Sequence, residues 1–483
     1  MTEPTQADSA FFTPDHDGRA ALLEAVAAVV TSLEHVPERP RSPLLPAALR
    51  ELVTAIDICP ENGVDFAEVA ATFGSAVWAN GVVPTDPACV AHLHPPTLLA
   101  SIATDVAVSA TNQSMDSWDQ APVATEVELH LCAFLATLLG FGPSGTGVMT
   151  SGGTASNVLG ITLARAAAAA AIGVDVGAEG LPPEAETWRI LSSDQAHFSV
   201  QRAAAQLGLG RRAVEIVATD PTGAMDVSAL DRALSDLEER GCTPIAIVGT
   251  AGTTDLGAID PLAAIAERAN ACGAWFHVDA AVAGSFAMSP VHAERLRGIA
   301  SADSVTIDFH KLWWQPFNAS ALMVADGSRS DLLRVRSSYL DRGDELEGMV
   351  NLVGRSLDTS RRFDAAKVVA SLRTLGRRQF AGYLDAVLGL ASTAANCLAA
   401  QPGWRVLAPP SAAMVVFTEA EATAEELRMV QQRLLARGEM VLGRTEIKGQ
   451  PALKFTFMNP MVQVDAVPTL VETVVAELRA IRS

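Results

Sequence analysis

Cysteine is sparse in this chain. Six residues in 483 (Cys59, Cys89, Cys132, Cys242, Cys272 and Cys397) are scattered, with no Cys-x-x-Cys pair and no metal-ligand spacing. Neither a disulfide framework nor a zinc site organises such a sequence, and free thiols in a reducing compartment are expected. Positive charge is short as well: 35 Lys and Arg stand against 55 Asp and Glu, a formal net charge of −20. Nucleic acid and anionic membrane surfaces would be repelled, so neither is expected as a partner. Residues 1–10 carry neither the basic nor the apolar segment of a secretion signal, and no window is expected to reach membrane-spanning length. The two sequons, at Asn112 and Asn318, are then chance matches. A cytoplasmic location is the expectation. Apolar residues, in contrast, make up 49 % of the sequence, enough for a sizeable core, and the length suggests two or three structural units.

Residues 1–20 have the texture of a loose tail, and from about residue 20 to 79 apolar residues recur at helical spacing, interrupted by the 37–46 proline-rich stretch. The middle alternates strand-like runs (147–150, 189–192, 214–217, 245–249, 275–278, 304–308, 321–324) with helical ones (155–172, 198–206, 227–240, 261–271). That alternation predicts an α/β fold with a mostly parallel sheet covered on both faces. The alanine run at 166–171 continues a helix. After Arg361 a long helical stretch precedes strand-like pieces at 414–418 and 453–458 and a closing helix at 467–481, a smaller α+β unit. The expected organisation is an N-terminal helical segment (1–90), a large domain (91–362) and a small C-terminal domain (363–483).

Chemistry concentrates where predicted strands end. A literal Gly-x-Gly-x-x-Gly at Gly140, Gly142 and Gly145 follows a helix and precedes a strand, the reverse of a dinucleotide fingerprint, and is rejected. Thr150-Ser151-Gly152-Gly153-Thr154-Ala155-Ser156-Asn157 does lie between a strand and a helix. Its glycines admit a ligand close to the backbone, and the helix N-terminus offers N–H groups to a phosphate. Asp279, in His277-Val278-Asp279-Ala280-Ala281, sits at a strand end, where a carboxylate can pair with a ring nitrogen and make a flat ring an electron sink. His197, closing Ser193-Asp194-Gln195-Ala196-His197, can stack on such a ring. Lys311 follows Asp308, Phe309 and His310 and precedes Leu312-Trp313-Trp314. Partial desolvation there favours the neutral, nucleophilic amine that Schiff-base chemistry requires. Each motif alone also fits an ordinary helix cap, core polar group or surface lysine; their common position and order set them apart.

The order TSGGTASN, SDQAH, GTAGTTDLGAID, HVDAA and DFHK resembles the group II pyridoxal-phosphate-dependent amino-acid decarboxylases of fold type I, over about residues 91–460. The resemblance implies a pyridoxal 5'-phosphate cofactor bound to Lys311 as a Schiff base, with Asp279 on the ring nitrogen. It implies His197 on one face of the ring, Ala281 on the other and Thr250 nearby. Gly152, Gly153 and Thr154, with Asp308 and His310, complete the cofactor site. Tyr339 matches the tyrosine of the family's mobile catalytic loop, flanked by Gly343 and Gly348, where it would protonate the product carbon.

Stretches such as Ala91–Pro95, Asn112–Gln120 and Ser360–Asp364 look most like the diaminobutyrate and lysine decarboxylase branch. Pro95, Ala155 and Val282 depart from that branch's usual cysteine, glutamine and aromatic residue. The implied reaction is decarboxylation of an L-amino acid, with a diamino acid such as diaminobutyrate or lysine as the expected substrate, to its amine and CO2. The alternatives are an aromatic or acidic substrate, aldehyde-forming oxidation or transamination. Presence of Tyr339 favours plain decarboxylation over aldehyde formation, and the family's habit implies a homodimer.

Overall fold

The computed structural model describes residues 10–334 and 348–483. Its N-terminal segment holds three helices, α1 (His16–Ser32), α2 (Pro46–Thr54) and α3 (Phe66–Ala76), and a two-residue strand β1 (Cys89–Val90). Helix α1 starts inside the expected tail because the Asp15 side chain caps it by accepting the Gly18 N–H. Pro46 opens α2 at its first turn, where its missing N–H costs nothing. Helices α4 (Leu99–Thr111) and α5 (Pro122–Leu139) lead into the large domain.

By length and composition α5 can cross a membrane, with 18 residues at a mean hydropathy of 1.4, which corrects the expectation that no segment would. Here it packs in the core: Leu131, Cys132, Leu135 and Leu139 are buried, and Glu128 is wholly so. Burial pushes the Glu128 carboxyl up, opposed chiefly by the Arg361 guanidinium 2.9 Å away.

The large domain is a seven-stranded sheet with helices against it. Its strands are β2 (Thr146–Thr150), β3 (Trp188–Ser193), β4 (Val214–Val217), β5 (Thr243–Thr250), β6 (Trp275–Asp279), β7 (Ser304–Asp308) and β8 (Ser320–Val324). In the sheet order β2-β8-β7-β6-β5-β3-β4, only β8 runs against its neighbours. Strands β6, β7 and β8 are buried throughout, which explains their unbroken apolar character. The crossovers are α6 (Gly153–Ala171), the short α7 (Val176–Glu179), α8 (Ser199–Gln206), α9 (Val227–Glu239) and α10 (Leu262–Cys272). The alanine run lies within α6, and the rejected glycine motif begins as the left-handed C-cap of α5, with Gly140 at φ 80°.

Beyond it, α11 (Ala365–Ala399) bends at Gly376, whose φ of 68° is non-helical. Strands β9 (Trp404–Val406), β10 (Met414–Glu419), β11 (Val441–Ile447) and β12 (Gln450–Thr456) form a second sheet with β1, in the order β1-β11-β12-β10-β9. Helices α12 (Ala424–Arg437) and α13 (Val467–Arg482) accompany that sheet. The pairing of Cys89 with Val441 ties the N-terminal segment into the small sheet, across the expected boundary at residue 90.

Candidate active site

Six strands of the large sheet run in one direction, so their carboxyl ends share an edge, the place where open α/β sheets bind ligands. Thr150, Ser193, Thr250, Asp279 and Asp308 close β2, β3, β5, β6 and β7 there. The reversed β8 contributes its first residue, Ser320, in register with both Thr150 and Asp308. A cavity of about 600 Å3 opens on this edge.

Its lining includes every described residue the sequence nominated: Gly152, Gly153, Thr154, His197, Thr250, Asp279, Ala281, Asp308, His310 and Lys311. Tyr339 and Gly343 fall outside the described residues. Ala155 and Val282, two of the three departures from the branch pattern, also line the cavity; Pro95 is buried elsewhere.

Lys311 is not left in apolar surroundings, as its aromatic neighbours had suggested. Its Nζ lies 2.8 Å from Asp308 Oδ2, and Ser320 donates to Asp308 Oδ1 at 2.6 Å. Asp308 is therefore the counter-ion that aims the lysine. The His310 ring is bound at Nδ1 to the Ala319 carbonyl, 2.9 Å away, and burial pushes its pKa down. Across the cavity, Asp279 Oδ2 accepts from Asn157 Nδ2 at 2.7 Å and Oδ1 from the Ala281 N–H at 3.1 Å. His197 pairs through Nδ1 with Ser199 Oγ at 2.8 Å. Burial lowers the His197 pKa, while the nearby Asp279 charge pulls the other way.

The glycine cradle closes against Asp308. A Cβ on Gly153 would stand 2.7 Å from Asp308 Oδ2, whereas Gly152, at φ 151°, has nothing within 4 Å of that position. Backbone thus faces open cavity at the first turn of α6, beside its unpaired N–H groups, as a phosphate requires. Thr250 adds a buried hydroxyl with no partner among the described residues. Gly153→Ala is expected to weaken cofactor binding at least tenfold and to destabilise the fold by about 1–3 kcal/mol through overpacking. A cofactor titration and a urea melt check both. An unchanged dissociation constant would remove the cradle from the site.

Sequence reasoning gave no role to Asn157, Ser199 or Ser320, nor to Gln206, Thr254, Phe317, Asn318 and Leu357, which also line the cavity. Asn157 had a signal: it lies four residues after Gly153 and so on the same face of α6.

His277, behind Asp279, is wholly buried, and burial pushes its pKa down to about 4, partly opposed by Asp279. Between pH 6.5 and about 4 the unfolded chain binds a proton there that the folded chain refuses, so stability falls as pH falls. The stability advantage of wild type over His277→Asn should narrow as pH drops through that window, followed by urea unfolding. An advantage that widened would contradict a neutral His277.

Open glycine backbone at a helix N-terminus, a carboxylate and a lysine line one cavity, a set of groups that suits an enzyme whose cofactor is a phosphorylated ring aldehyde. The chain belongs to the pyridoxal-dependent decarboxylase family, whose conserved domain matches residues 75–419. It is 34 % identical to the L-2,4-diaminobutyrate decarboxylase of Acinetobacter baumannii, over 96 % of this chain and 94 % of that one. With the enzyme of the same name from Rhizobium meliloti (strain 1021) it shares 36 % identity, covering 88 % and 85 % of the two chains. Among solved structures it resembles the glutamate decarboxylase domain of the diaminobutyrate-pyruvate transaminase and L-2,4-diaminobutyrate decarboxylase from Vibrio parahaemolyticus. The TM-score is 0.90 at 32 % identity, covering 98 % of this chain and 99 % of that one. The protein is a carboxy-lyase of fold type I acting on an amino acid, with pyridoxal 5'-phosphate as cofactor.

Proposed function

We propose that the protein decarboxylates L-2,4-diaminobutyrate to 1,3-diaminopropane and CO2, using pyridoxal phosphate carried on Lys311. The observation that carries the site assignment is the Lys311–Asp308 pair, set in one cavity with Asp279, His197 and the Gly152–Thr154 cradle. The substrate reading is supported by the identity to two diaminobutyrate decarboxylases over most of the chain.

When bound, the cofactor supplies an electron sink for the pair left by the departing carboxylate. The protein's part is positioning and proton control. Gly152, Gly153 and Thr154 hold the phosphate at the start of α6, with Thr250 and His310 beside the cofactor. Asp279 keeps a proton on the ring nitrogen, so the ring can accept negative charge. His197 and Ala281 would confine the ring between them and so restrict how a substrate attached to it is oriented. The Lys311 amine would be the nucleophile that carries the cofactor and a base beside the substrate nitrogen, with Asp308 as counter-ion. By the family resemblance, Tyr339, outside the described residues, or a neighbouring acid would deliver the proton to the product carbon.

The same reading includes a homodimer in the cytoplasm. Apolar side chains on and between the N-terminal helices lie open in the single chain, among them Leu23, Val30, Val53, Ile58 and Phe66, a surface suited to a second copy. All six cysteines are free thiols, which suits a reducing compartment.

The test is a panel of diaminobutyrate, ornithine, lysine, glutamate, aspartate and aromatic amino acids, scored for amine and CO2. Diaminobutyrate should lead in kcat/KM by at least tenfold, with stoichiometric diaminopropane. A better substrate elsewhere in the panel would overturn the substrate, and aldehyde with ammonia would overturn the reaction.

A further inference from the structure

Beneath the cavity a chain of buried hydrogen bonds joins β6, β7, α6 and α8, and its direction is fixed at one end. The Trp275 indole N–H can only donate, and it donates to Ser304 Oγ at 2.8 Å. The Ser304 hydroxyl, 2.8 Å from His277 Nδ1, can donate to that nitrogen or accept from it. The end that fixes the direction is the Asp279 carboxylate, which can only accept, so the Asn157 NH2 group must face it. Asn157 Oδ1 then faces His277 Nε2 at 3.0 Å, that nitrogen carries the His277 proton, and Thr306 Oγ1 donates to the same oxygen at 2.7 Å. With its oxygen taken by two donors, the Asn157 amide has one possible orientation. Its NH2 group gives one proton to Asp279 Oδ2 at 2.7 Å and the other to Ser199 Oγ at 2.9 Å. The Ser199 backbone N–H, which can only donate, points at His197 Nδ1 at 3.3 Å, so that nitrogen is the acceptor and Ser199 Oγ, 2.8 Å from it, turns its own proton there.

We propose that Asn157 is a positioning residue that orients Asp279 and, through Ser199, fixes His197 in the tautomer protonated on Nε2. The proposal rests on the assignment of Asp279 and His197 to the cofactor. All four hydrogen-bonding positions of the Asn157 amide are used, and the side chain is buried, so no water competes for them. The sheet register supplies the donors: His277 pairs with Ser304 and Asp279 with Thr306, placing alternate residues of β6 and β7 on the α6 side. Gly160 makes room one turn further along α6, since a Cβ there would stand 2.7 Å from His277 Nδ1 and Cε1. The depressed basicity of His277 agrees with a neutral ring at that point.

One amide thus serves both sides of the ring site. It holds Asp279 as an oriented acceptor for the ring nitrogen. It also leaves His197 with an N–H, rather than a lone pair, at the nitrogen remote from Ser199. That N–H is a neutral donor for the substrate carboxylate before its loss or for a cofactor oxygen.

The experiment is histidine-selective 15N NMR on the full-length protein with and without pyridoxal phosphate, with His197→Gln identifying the resonance, alongside cofactor titrations. Wild-type His197 should show an unprotonated Nδ1 and a protonated Nε2. Ser199→Ala should let both tautomers populate, with a smaller change in the cofactor dissociation constant than Asn157→Ala, which should weaken binding at least tenfold. A wild-type His197 protonated on Nδ1 would overturn the proposal, as would an Asn157→Ala protein binding cofactor within twofold of wild type. If Asn157→Ala does not fold, the wild-type tautomer and Ser199→Ala still decide. Failure of the underlying site assignment would look different: Asp279→Asn would then leave cofactor binding and turnover intact, whatever the tautomer.

Discussion

Lys311→Ala is expected to lower kcat by at least about 10^3-fold, because one amine is both the nucleophile that carries the cofactor and a base beside the substrate. The loss should occur without unfolding. Lys311 is one fifth exposed and its main partner is Asp308, which Ser320 also holds, so the variant keeps a hydrogen-bonded carboxylate facing an open cavity. Circular dichroism should match wild type while CO2 release disappears at every substrate concentration, and a urea melt should show a folded protein less stable by at most about 3–5 kcal/mol, the cost of leaving Asp308 without its cation. Added methylamine or ethylamine should restore a small part of the rate, since the missing group is a primary amine and the space it vacates is connected to solvent. Turnover above a tenth of wild type would remove Lys311 from the chemistry.

Asp279→Asn should cost about 10^2–10^4-fold in kcat. The substitution keeps the side chain's size but removes the charge that holds the ring nitrogen protonated, and deleting one partner of a buried charge pair costs about 3–5 kcal/mol. At about 1.4 kcal/mol per decade, that energy is the stated range in rate. Part of the effect should appear in the ground state as weaker cofactor binding. The new amide also faces Asn157 Nδ2 and the Ala281 N–H, two donors where Asp279 had two accepting oxygens. Asp279→Glu retains charge but displaces it, and should recover some cofactor affinity with less of the rate. Equal activity in Asp279→Asn and wild type would show that this carboxylate does not touch the ring.

Much of this site was legible because its residues close apolar runs. Asp279 and Asp308 end buried strands whose neighbours in sequence are apolar, so a polar residue at the boundary stands out, and the parallel sheet brings such boundaries together. The glycine pair before α6 was legible for the same reason. Asn157 was not, since its role depends on the register that sets Thr306 and His277 beneath it, and register between distant strands leaves no local trace. The Lys311 environment was half legible: Trp313 and Trp314 are buried as expected, but the Asp308 ion pair changes what the lysine meets.

The fold followed the same division. Strands β2 to β8 were readable from composition, while β1, two residues long, exists only because β11 lies beside it. Helix α12 had a readable signal in its Thr423/Glu426 capping box, and its polar face obscured it.

Lysine is rare enough here to make the decisive measurement simple. The chain has four: Lys311, Lys367, Lys448 and Lys454. Lys367 is wholly buried against Asp364, Lys454 is paired with Asp255, and Lys448 binds the Thr219 carbonyl; only Lys311 lines the cavity. Borohydride reduction of the cofactor-loaded protein, followed by peptide mass mapping, should place the reduced cofactor on Lys311 and leave the other three unmodified. Cofactor found on another lysine, or none retained by a protein that still decarboxylates, would contradict the proposed site.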